Sequence, residues 1–544
     1  MRGAKSAKWA ACAIVVAMAA TACGGGKKDG AAGGDPDAKG VFTYQASEPQ
    51  NPLQPANGNE VGGGRILKSI FRGLTQFAPK DGSLKMAVAE KIETTDSQHF
   101  TVTLKDGWTF QNGEKVTASS FVDAWNWGAN IKNNQLNSSW FSDIKGYEDV
   151  HPEKGDPTSD KMSGLVVKDD RTFTVELKQP VSYWQYKTGY PALSPLPQAF
   201  YKDPKAFGQQ PIGNGPYKLE KWDHNTQISL RSWDGYKGED KPQNGGVDFK
   251  IYLKGEAAYA DLQSGGLDVI DQIPPSSLTK YKTDLGDRAV DQPMATIQMI
   301  GFAMYNKEWE GVDKAKVRQG LSMAIDRDSI TKTVLQGSRK PANSFLTPGI
   351  LGYDANAKPE VLQFNPDKAK QLIQEGGGIP GGKITILYNS DLGHKPWVDA
   401  VCNSITKTVG VTCEGNPKPD FKTARDLITS KKLGAGDMFR TGWQADYPHI
   451  ASFLADVYRT GAASNDSGYS NKEFDDLANE ADKAKTPEES AKLYKKAEEI
   501  LLKDMPQIPL WNYEENGGYS KNVKNVTYDW IGDPVWTDVQ VLKK

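Results

Sequence analysis

The segment 440–454 carries the residues whose types and spacing best define a binding site. Arg440 and Asp446 lie six residues apart within it. If residues 440–446 are extended, alternate side chains share one face, which separates the two charged groups by about 20 Å at roughly 3.3 Å per residue. A positive and a negative group on one surface are complementary to an extended zwitterion, and a short peptide is such a molecule.

The alternative is a surface strand whose two charges are unrelated and solvated. Most charged side chains of proteins lie on solvated faces. Arg440 and Asp446 alone do not decide between the two interpretations.

Composition narrows the class of protein. The chain has 544 residues, which allows two to four domains, and its net charge is −2 from 66 basic and 68 acidic side chains. Without a basic excess, a nucleic-acid partner is not expected. The 14 Trp, 21 Tyr and 18 Phe fit either an ordinary core or an aromatic-lined site.

The N-terminus has the pattern of a signal peptide. Basic residues precede the apolar run 9–20, which is too short to span a membrane as a stable helix. Small residues before Cys23 resemble the lipobox of bacterial lipoproteins, although Ala20 stands where Leu is commoner. The resemblance implies that residues 1–22 are removed and that Cys23 is lipidated. A plain signal peptide with an incidental Cys is the alternative.

The glycine-rich residues 23–40 predict a flexible linker behind that anchor. Two cysteines, Cys402 and Cys413, remain in the exported body of the protein. An exported pair at this spacing favours a disulfide, because one pair without nearby His offers too few zinc ligands.

Hydrophobic periodicity predicts an α/β protein. Residues 64–74 and 397–409 are predicted to be helical, and residues 383–388 (KITILY) to form a strand. Residues 508–511 are predicted to form an edge strand, because Pro509 has no N–H to donate to the hydrogen bonds of a central strand.

Enzyme motifs are not convincing. The sequence from Gly377 to Lys383 resembles a phosphate-binding loop, but Ile384 replaces the Ser or Thr that would hold Mg²⁺, and the loop precedes a strand. The glycines at 213 and 215 are followed by Pro216, which argues against a dinucleotide site. His449 is interpreted as structural. We therefore expect no catalytic residue, metal site or cofactor.

Six segments occur in the order found in one protein family. The chain resembles the peptide- and nickel-type family of extracellular solute-binding proteins, the receptors of bacterial ABC importers, and is most similar to its oligopeptide-binding members. The matching segments are residues 71–93, 100–125, 211–222, 316–330, 364–373 and 442–454.

The resemblance implies a periplasmic-binding-protein type II fold, in which two lobes close about a hinge and an extra domain is attached. Carried onto this chain, lobe I comprises residues 41–71, 196–300 and 513–544. The extra domain comprises residues 72–195, and lobe II comprises residues 301–512.

The resemblance also implies site residues. Asp446 is expected to bind the peptide ammonium and Arg440 the peptide carboxylate, and His394 to help with carboxylates of other peptide lengths. An insertion before Arg440 is expected to reshape the far end of the site. The residues expected beside the peptide main chain are Asn59, Glu60, Val61, Gly442, Trp443 and Gln444.

The expected function is that of a monomeric, extracytoplasmic receptor anchored to the cell membrane through lipidated Cys23. It captures oligopeptides and delivers them to an ABC permease with its ATPase subunits, without chemistry on the ligand. Another solute, such as a nickel chelate, an oligosaccharide or a signalling peptide, remains the alternative.

Overall fold

The computed structural model describes residues 35–390, 393–419, 421–434, 436–462 and 464–543. The signal peptide 1–22 and Cys23 lie outside these residues. The described end of the linker is tied to the C-terminus, because Asp37 N donates to Val541 O at 2.8 Å. Within the described ranges, no helix is both long and apolar enough to cross a membrane.

Strands occur along the whole described chain. They are β1 (Val41–Ala46), β2 (Thr75–Phe77), β3 (Leu84–Met86), β4 (Ala89–Glu93), β5 (His99–Leu104), β6 (Leu165–Asp169), β7 (Thr172–Glu176), β8 (Tyr217–Asp223), β9 (Gln227–Ser232), β10 (Gly246–Ile251), β11 (Val269–Ile270), β12 (Ala289–Phe302), β13 (Arg339–Pro341), β14 (Lys383–Asn389), β15 (Thr412–Lys418), β16 (Asp437–Gln444), β17 (Gln507–Tyr519), β18 (Val523–Lys524) and β19 (Gln540–Val541).

Helices alternate with the strands, which confirms the α/β prediction. They are α1 (Val61–Ile70), α2 (Ala118–Ala129), α3 (Tyr147–Val150), α4 (Trp184–Lys187), α5 (Pro204–Phe207), α6 (Gly255–Ser264), α7 (Tyr281–Leu285), α8 (Val312–Met323), α9 (Arg327–Thr333), α10 (Pro366–Glu375), α11 (Lys395–Val409), α12 (Phe421–Thr429), α13 (Ala451–Tyr458), α14 (Lys472–Asp482) and α15 (Pro487–Asp504). Short 3₁₀ turns connect them at Ile131–Asn133, Ser138–Phe141, Pro191–Leu193, Gln198–Lys202, Pro275–Ser277, Gly286–Arg288, Glu360–Leu362 and Pro380–Gly382.

One large mixed sheet organises the molecule. Its strands run in the order β15-β14-β16-β12-β17-β11-β1-β10-β9-β8, and β13 pairs with β17 off this path. The two longest strands, β12 and β17, are antiparallel neighbours in its middle. The lobe boundaries at 300/301 and 512/513 fall inside these two strands, and they stay a prediction.

A separate four-stranded antiparallel sheet, in the order β4-β5-β7-β6, lies in the part of the chain assigned to the extra domain. Helix α2 covers it, because Phe121 stacks on Phe173 at 6.0 Å and Trp125 meets the same ring edge-on at 5.6 Å. The indole nitrogen of Trp125 donates to Leu193 O at 2.9 Å, which satisfies its polar atom in the core.

The prediction that residues 508–511 form an edge strand is correct only in part. Strand β17 as a whole lies inside the sheet, with β12 on one side and β13 and β11 on the other, but β13 reaches only residues 511–513 and β11 only residues 518–519. Within the described chain, residues 508–510 therefore pair with a strand on the β12 side only. Pro509 is accommodated because the pairing shifts register between Gln298 and Met299, which face Trp511 and Pro509. A bulge of this kind removes the need for a proline N–H in the ladder.

The predicted helix 64–74 ends earlier, at Ile70, because Phe71 is extended at φ −114° and ψ 157°. The loop that holds Gly213 and Gly215 packs against this end. A Cβ on Gly213 would lie 2.0 Å from Ile70 O, and Gly215 N donates to the same oxygen at 2.6 Å. These glycines therefore allow close backbone packing, which accounts for them without a dinucleotide.

Cys402 on α11 and Cys413 on β15 form the disulfide that the sequence favours, with their Cα atoms 4.8 Å apart. The bond joins the helix to the outermost strand of the large sheet. The loop from Gly377 to Lys383 leads from α10 into β14, the reverse of the order that a phosphate-binding loop requires.

Candidate functional site

Two cavities lie along β16, the strand that carries the predicted binding residues. The larger cavity has a volume of about 590 Å³, and the smaller one of about 260 Å³. Arg440, Gly442 and Trp443 line the smaller cavity, whereas Gln444 and Asp446 line the larger one. Arg440 and Asp446 therefore face two different cavities.

The predicted extended segment is shorter than expected, because β16 ends at Gln444 and Asp446 follows it. Opposite β16, strand β12 pairs Gly442 with Gln298. A Cβ on Gly442 would lie 2.8 Å from Ile297 O, so this close backbone approach leaves no room for a side chain.

The N-terminal end of α1 lines the larger cavity. Asn59, Glu60 and Val61 line it together with Gln444 and Asp446. The Glu60 carboxylate caps α1, because its Oε1 accepts from Gly63 N at 2.8 Å and from Gln50 N at 3.2 Å.

Asp446 is a half-buried carboxylic acid without a cation at hydrogen-bond distance. Within the described ranges, no ion pair or side-chain hydrogen bond engages its carboxyl group; its backbone N donates to Ser452 Oγ at 3.0 Å. Burial, and to a lesser extent the carboxylate of Asp456, raises the pKa of Asp446 to about 7. Lys187 and Lys68 act in the opposite direction. A cationic ligand group would supply the missing partner.

A second buried acid lies behind this site. Burial raises the pKa of Asp456 to about 6, and Tyr447 donates its hydroxyl to that carboxylate at 3.2 Å. Lys187, which pairs with Asp143 at 2.6 Å, offsets part of this effect. The side chains of Tyr447 and Asp456 are therefore already hydrogen-bonded to each other.

Arg440, at the other end, keeps hydrogen-bonding capacity. Its Nε and the indole Nε1 of Trp443 are buried atoms without a hydrogen-bond partner in the described structure. The guanidinium carbon lies 6.0 Å from the ring centre of Phe421. Two free N–H donors, one of them on a cation, are suited to an anionic oxygen.

The cationic side chains of α1 that line the larger cavity are already engaged in ion pairs. Arg65 Nε and Lys68 Nζ each lie 2.8 Å from a different oxygen of Asp533, and Arg65 also pairs with Asp271 at 2.6 Å. Burial would raise the pKa of Asp533, but Lys68 and Arg65 hold it below its usual range. Two residues beyond the end of α1, Arg72 likewise pairs with Asp240 at 2.6 Å.

The predicted residue His394 lines neither cavity. It is buried at the start of α11, where its Nδ1 accepts from Trp397 Nε1 at 3.1 Å. His449 is structural as interpreted, because its Nε2 lies 3.0 Å from Pro487 O and its ring stacks on Tyr183 at 4.6 Å.

Several lining residues were missed by sequence reasoning. Tyr190 comes from a proline-rich loop, and Trp530 and Trp536 come from the C-terminal segment. The high aromatic content was the only signal for them. In the described part of the chain, no group of three His, Cys, Asp or Glu side chains is arranged to hold a metal ion.

Comparison with known proteins identifies relatives that match nearly the whole chain. The chain is 28% identical over 542 residues to an oligopeptide-binding protein, OppA, of Bacillus subtilis, with 96% of each chain covered. It shares 25% identity and a TM-score of 0.74 with the structure of Haemophilus influenzae OppA in complex with the peptide RPPGFSPFR, covering 94% of this chain and 100% of that one.

The fold is also that of the Escherichia coli murein tripeptide binding protein MppA, with a TM-score of 0.75 and 23% identity over 94% of this chain and 100% of that one. These likenesses confirm the type II periplasmic-binding-protein fold. The model of the bacterial extracellular solute-binding proteins, family 5 (middle region), matches residues 83–465. Because this match covers most of the chain, the protein belongs to family 5 of the bacterial extracellular solute-binding proteins.

Proposed function

We propose that this protein captures oligopeptides with free termini and delivers them to an ABC importer. Asp446 binds the peptide ammonium, Arg440 binds the peptide carboxylate, and the chain between them lies along β16. The observation that carries this proposal is the carboxyl group of Asp446, which faces a cavity without a cation partner in the described residues.

The edge of β16 supports binding of an extended main chain. Strand β14 pairs with β16 only at residues 437–439, whereas β12 pairs with it from Met438 to Gln444. Within the described structure, residues 440–444 therefore have no strand partner on the β14 side. A peptide can add there as a strand, with main-chain hydrogen bonds that do not depend on its sequence.

The relatives support the same ligand class. The Bacillus subtilis relative is named an oligopeptide-binding protein, and the Haemophilus influenzae structure contains a nine-residue peptide. For this chain we infer that lobe I and lobe II close over the peptide. The permease and its ATPase subunits are the partners that such a receptor serves, and we expect the receptor to act as a monomer.

Cys23 is proposed to hold the protein at the membrane surface. Replacement of Cys23 by Ser should abolish incorporation of labelled fatty acid and release the protein from the membrane fraction, because two acyl chains are sufficient for stable anchoring. Metabolic labelling followed by fractionation measures both effects. Cys12→Ser, within the apolar run, is the matched control and should leave labelling unchanged.

The ligand class is tested by incubating the purified protein with a defined library of free tri- to hexapeptides and identifying the retained molecules by mass spectrometry. We expect intact peptides to be retained and recovered without cleavage. Retention of no peptide, or recovery of a sugar or a metal chelate from the producing cells, would overturn the proposal. Cleavage products would instead indicate an enzyme.

A further inference from the structure

We propose that the smaller cavity is a specificity pocket for the C-terminal residue of the peptide, and that it selects a large apolar side chain. This inference rests on the proposed function, because it assumes that Arg440 holds the C-terminal carboxylate. It adds a preference for one type of C-terminal side chain, because main-chain contacts alone do not distinguish between peptide sequences.

The lining of the pocket combines polar and apolar residues. The polar ones are Asn389, Arg425, Arg440, Thr441, Ser464 and Asp466. Among the apolar ones, Met299 lies on β12, Val457 on α13, and Ala424 and Ile428 on α12. The last two residues are four apart and buried at 3% and 2% exposure, so they present one helix face to the cavity. The aromatic lining residues are Tyr388, Phe421 and Trp443.

The volume suits a whole side chain. The pocket encloses about 260 Å³. An apolar protein cavity of roughly 150 Å³ is enough to bind benzene. A Leu, Met or Phe side chain therefore fits, together with the carboxylate of the same residue.

The charges of the pocket leave one cation in excess. Arg425 is engaged by Asp466, with Nη2 donating to Oδ1 at 3.2 Å and Nη1 forming a second contact with the same carboxylate. Arg440 has no such carboxylate in the described structure, and its Nε is without a hydrogen-bond partner. The pocket is thus built for one negative group beside an apolar body.

A C-terminal apolar residue carries both the negative group and the apolar body, because its carboxylate and its side chain are attached to the same Cα atom. An internal Glu or Asp also offers a carboxylate, but its side chain has little apolar surface to place against Ile428 and Val457. The two sources of carboxylate can be separated experimentally, because amidation removes the first and leaves the second.

The test uses alanine peptides of three to six residues that end in Ala, Leu, Phe, Asp or Lys, with free termini, and calorimetry on the full exported chain. We expect Leu and Phe to bind about 10- to 100-fold more tightly than Ala at the best length, from the burial of one large apolar side chain. The Phe peptide amide should lose this advantage, and an internal-Glu peptide amide should not restore it.

Two variants assign the preference to this pocket. Ala424→Leu fills the cavity and should remove the Leu and Phe advantage, while Phe421→Ala opens a wall at a residue that is 46% exposed and should reduce it. Binding of the Ala-ended peptide is the folding control in both variants.

If all free peptides bind equally well, the specificity pocket is wrong and the proposed function stands. If Asp-ended peptides bind most tightly, the pocket selects a second anion instead. If no peptide binds at all, the proposed function fails as well, which distinguishes the two failures.

Discussion

Replacement of Asp446 by Ala should nearly abolish binding of peptides with free N-termini. A peptide ammonium that is enclosed between two lobes loses its hydration and requires a negative partner. Removal of one member of a buried charge pair costs about 3–5 kcal/mol, which corresponds to a loss of affinity between about a hundredfold and several thousandfold. Isothermal calorimetry with one tripeptide on both proteins measures the difference.

N-acetylated peptides provide the first control for this result. They carry no ammonium, so they should bind the wild type weakly, and the substitution should affect them far less. Asp538→Ala is the matched variant, because Asp538 is an exposed acid that lines the same cavity. Equal binding of free and acetylated peptides by the wild type would show that Asp446 is not the ammonium partner.

The same titrations should depend on pH. Because the pKa of Asp446 is raised to about 7, the Asp446 carboxyl group is mostly protonated at pH 6 when no ligand is bound. The peptide ammonium must then displace that proton. Peptide affinity of the wild type should be about fivefold weaker at pH 6 than at pH 7, where the peptide amine remains protonated. Asp446→Ala should lose this dependence. A pH-independent wild type would contradict the role of the acid.

Replacement of Asp533 by Ala should be the most destabilising change on the cavity wall. Asp533 is 7% exposed and holds both Arg65 and Lys68 at 2.8 Å. Without Asp533, Arg65 keeps only its ion pair with Asp271, and the partly exposed Lys68 loses its carboxylate partner. We expect the free energy of unfolding to fall by about 1.5–3 kcal/mol, because charge-assisted hydrogen bonds are lost while neither cation is left buried and alone. Urea denaturation followed by tryptophan fluorescence measures this change.

A control variant at Asp538 and the pH dependence of stability separate the loss of the Asp533 ion pairs from a general loss of acidic charge. Asp538→Ala, five residues further on and exposed, should change stability by less than about 0.5 kcal/mol. The folded pKa of Asp533 is depressed, so its contribution is complete above about pH 4 and is lost as the pH falls further. Equal stability of the Asp533→Ala variant and the wild type at pH 7 would refute the prediction.

Sequence reasoning located the strand along which the two cavities lie, but not the residues that surround them. Arg440, Gly442 and Asp446 were recognisable because charge and extended spacing are local properties. Tyr190 and Trp530 were not, since they reach the cavity from loops that have no pattern of their own. His394, which was assigned by resemblance, lies outside both cavities in this structure, and its role in binding stays a prediction.

The sequence by itself determined the α/β class, the family to which the order of six segments points, and the pairing of Cys402 with Cys413, because periodicity, motif order and cysteine count are readable without coordinates. Only the tertiary structure decided that β17 is internal, that Asp446 is left without a cation in the described chain, and that β16 divides two cavities. Burial and cavity shape arise where α1, β16 and the C-terminal segment meet. These elements are distant in the chain, because α1 ends at residue 70, β16 begins at residue 437 and the C-terminal lining residues begin at residue 529. No local pattern therefore encodes their packing.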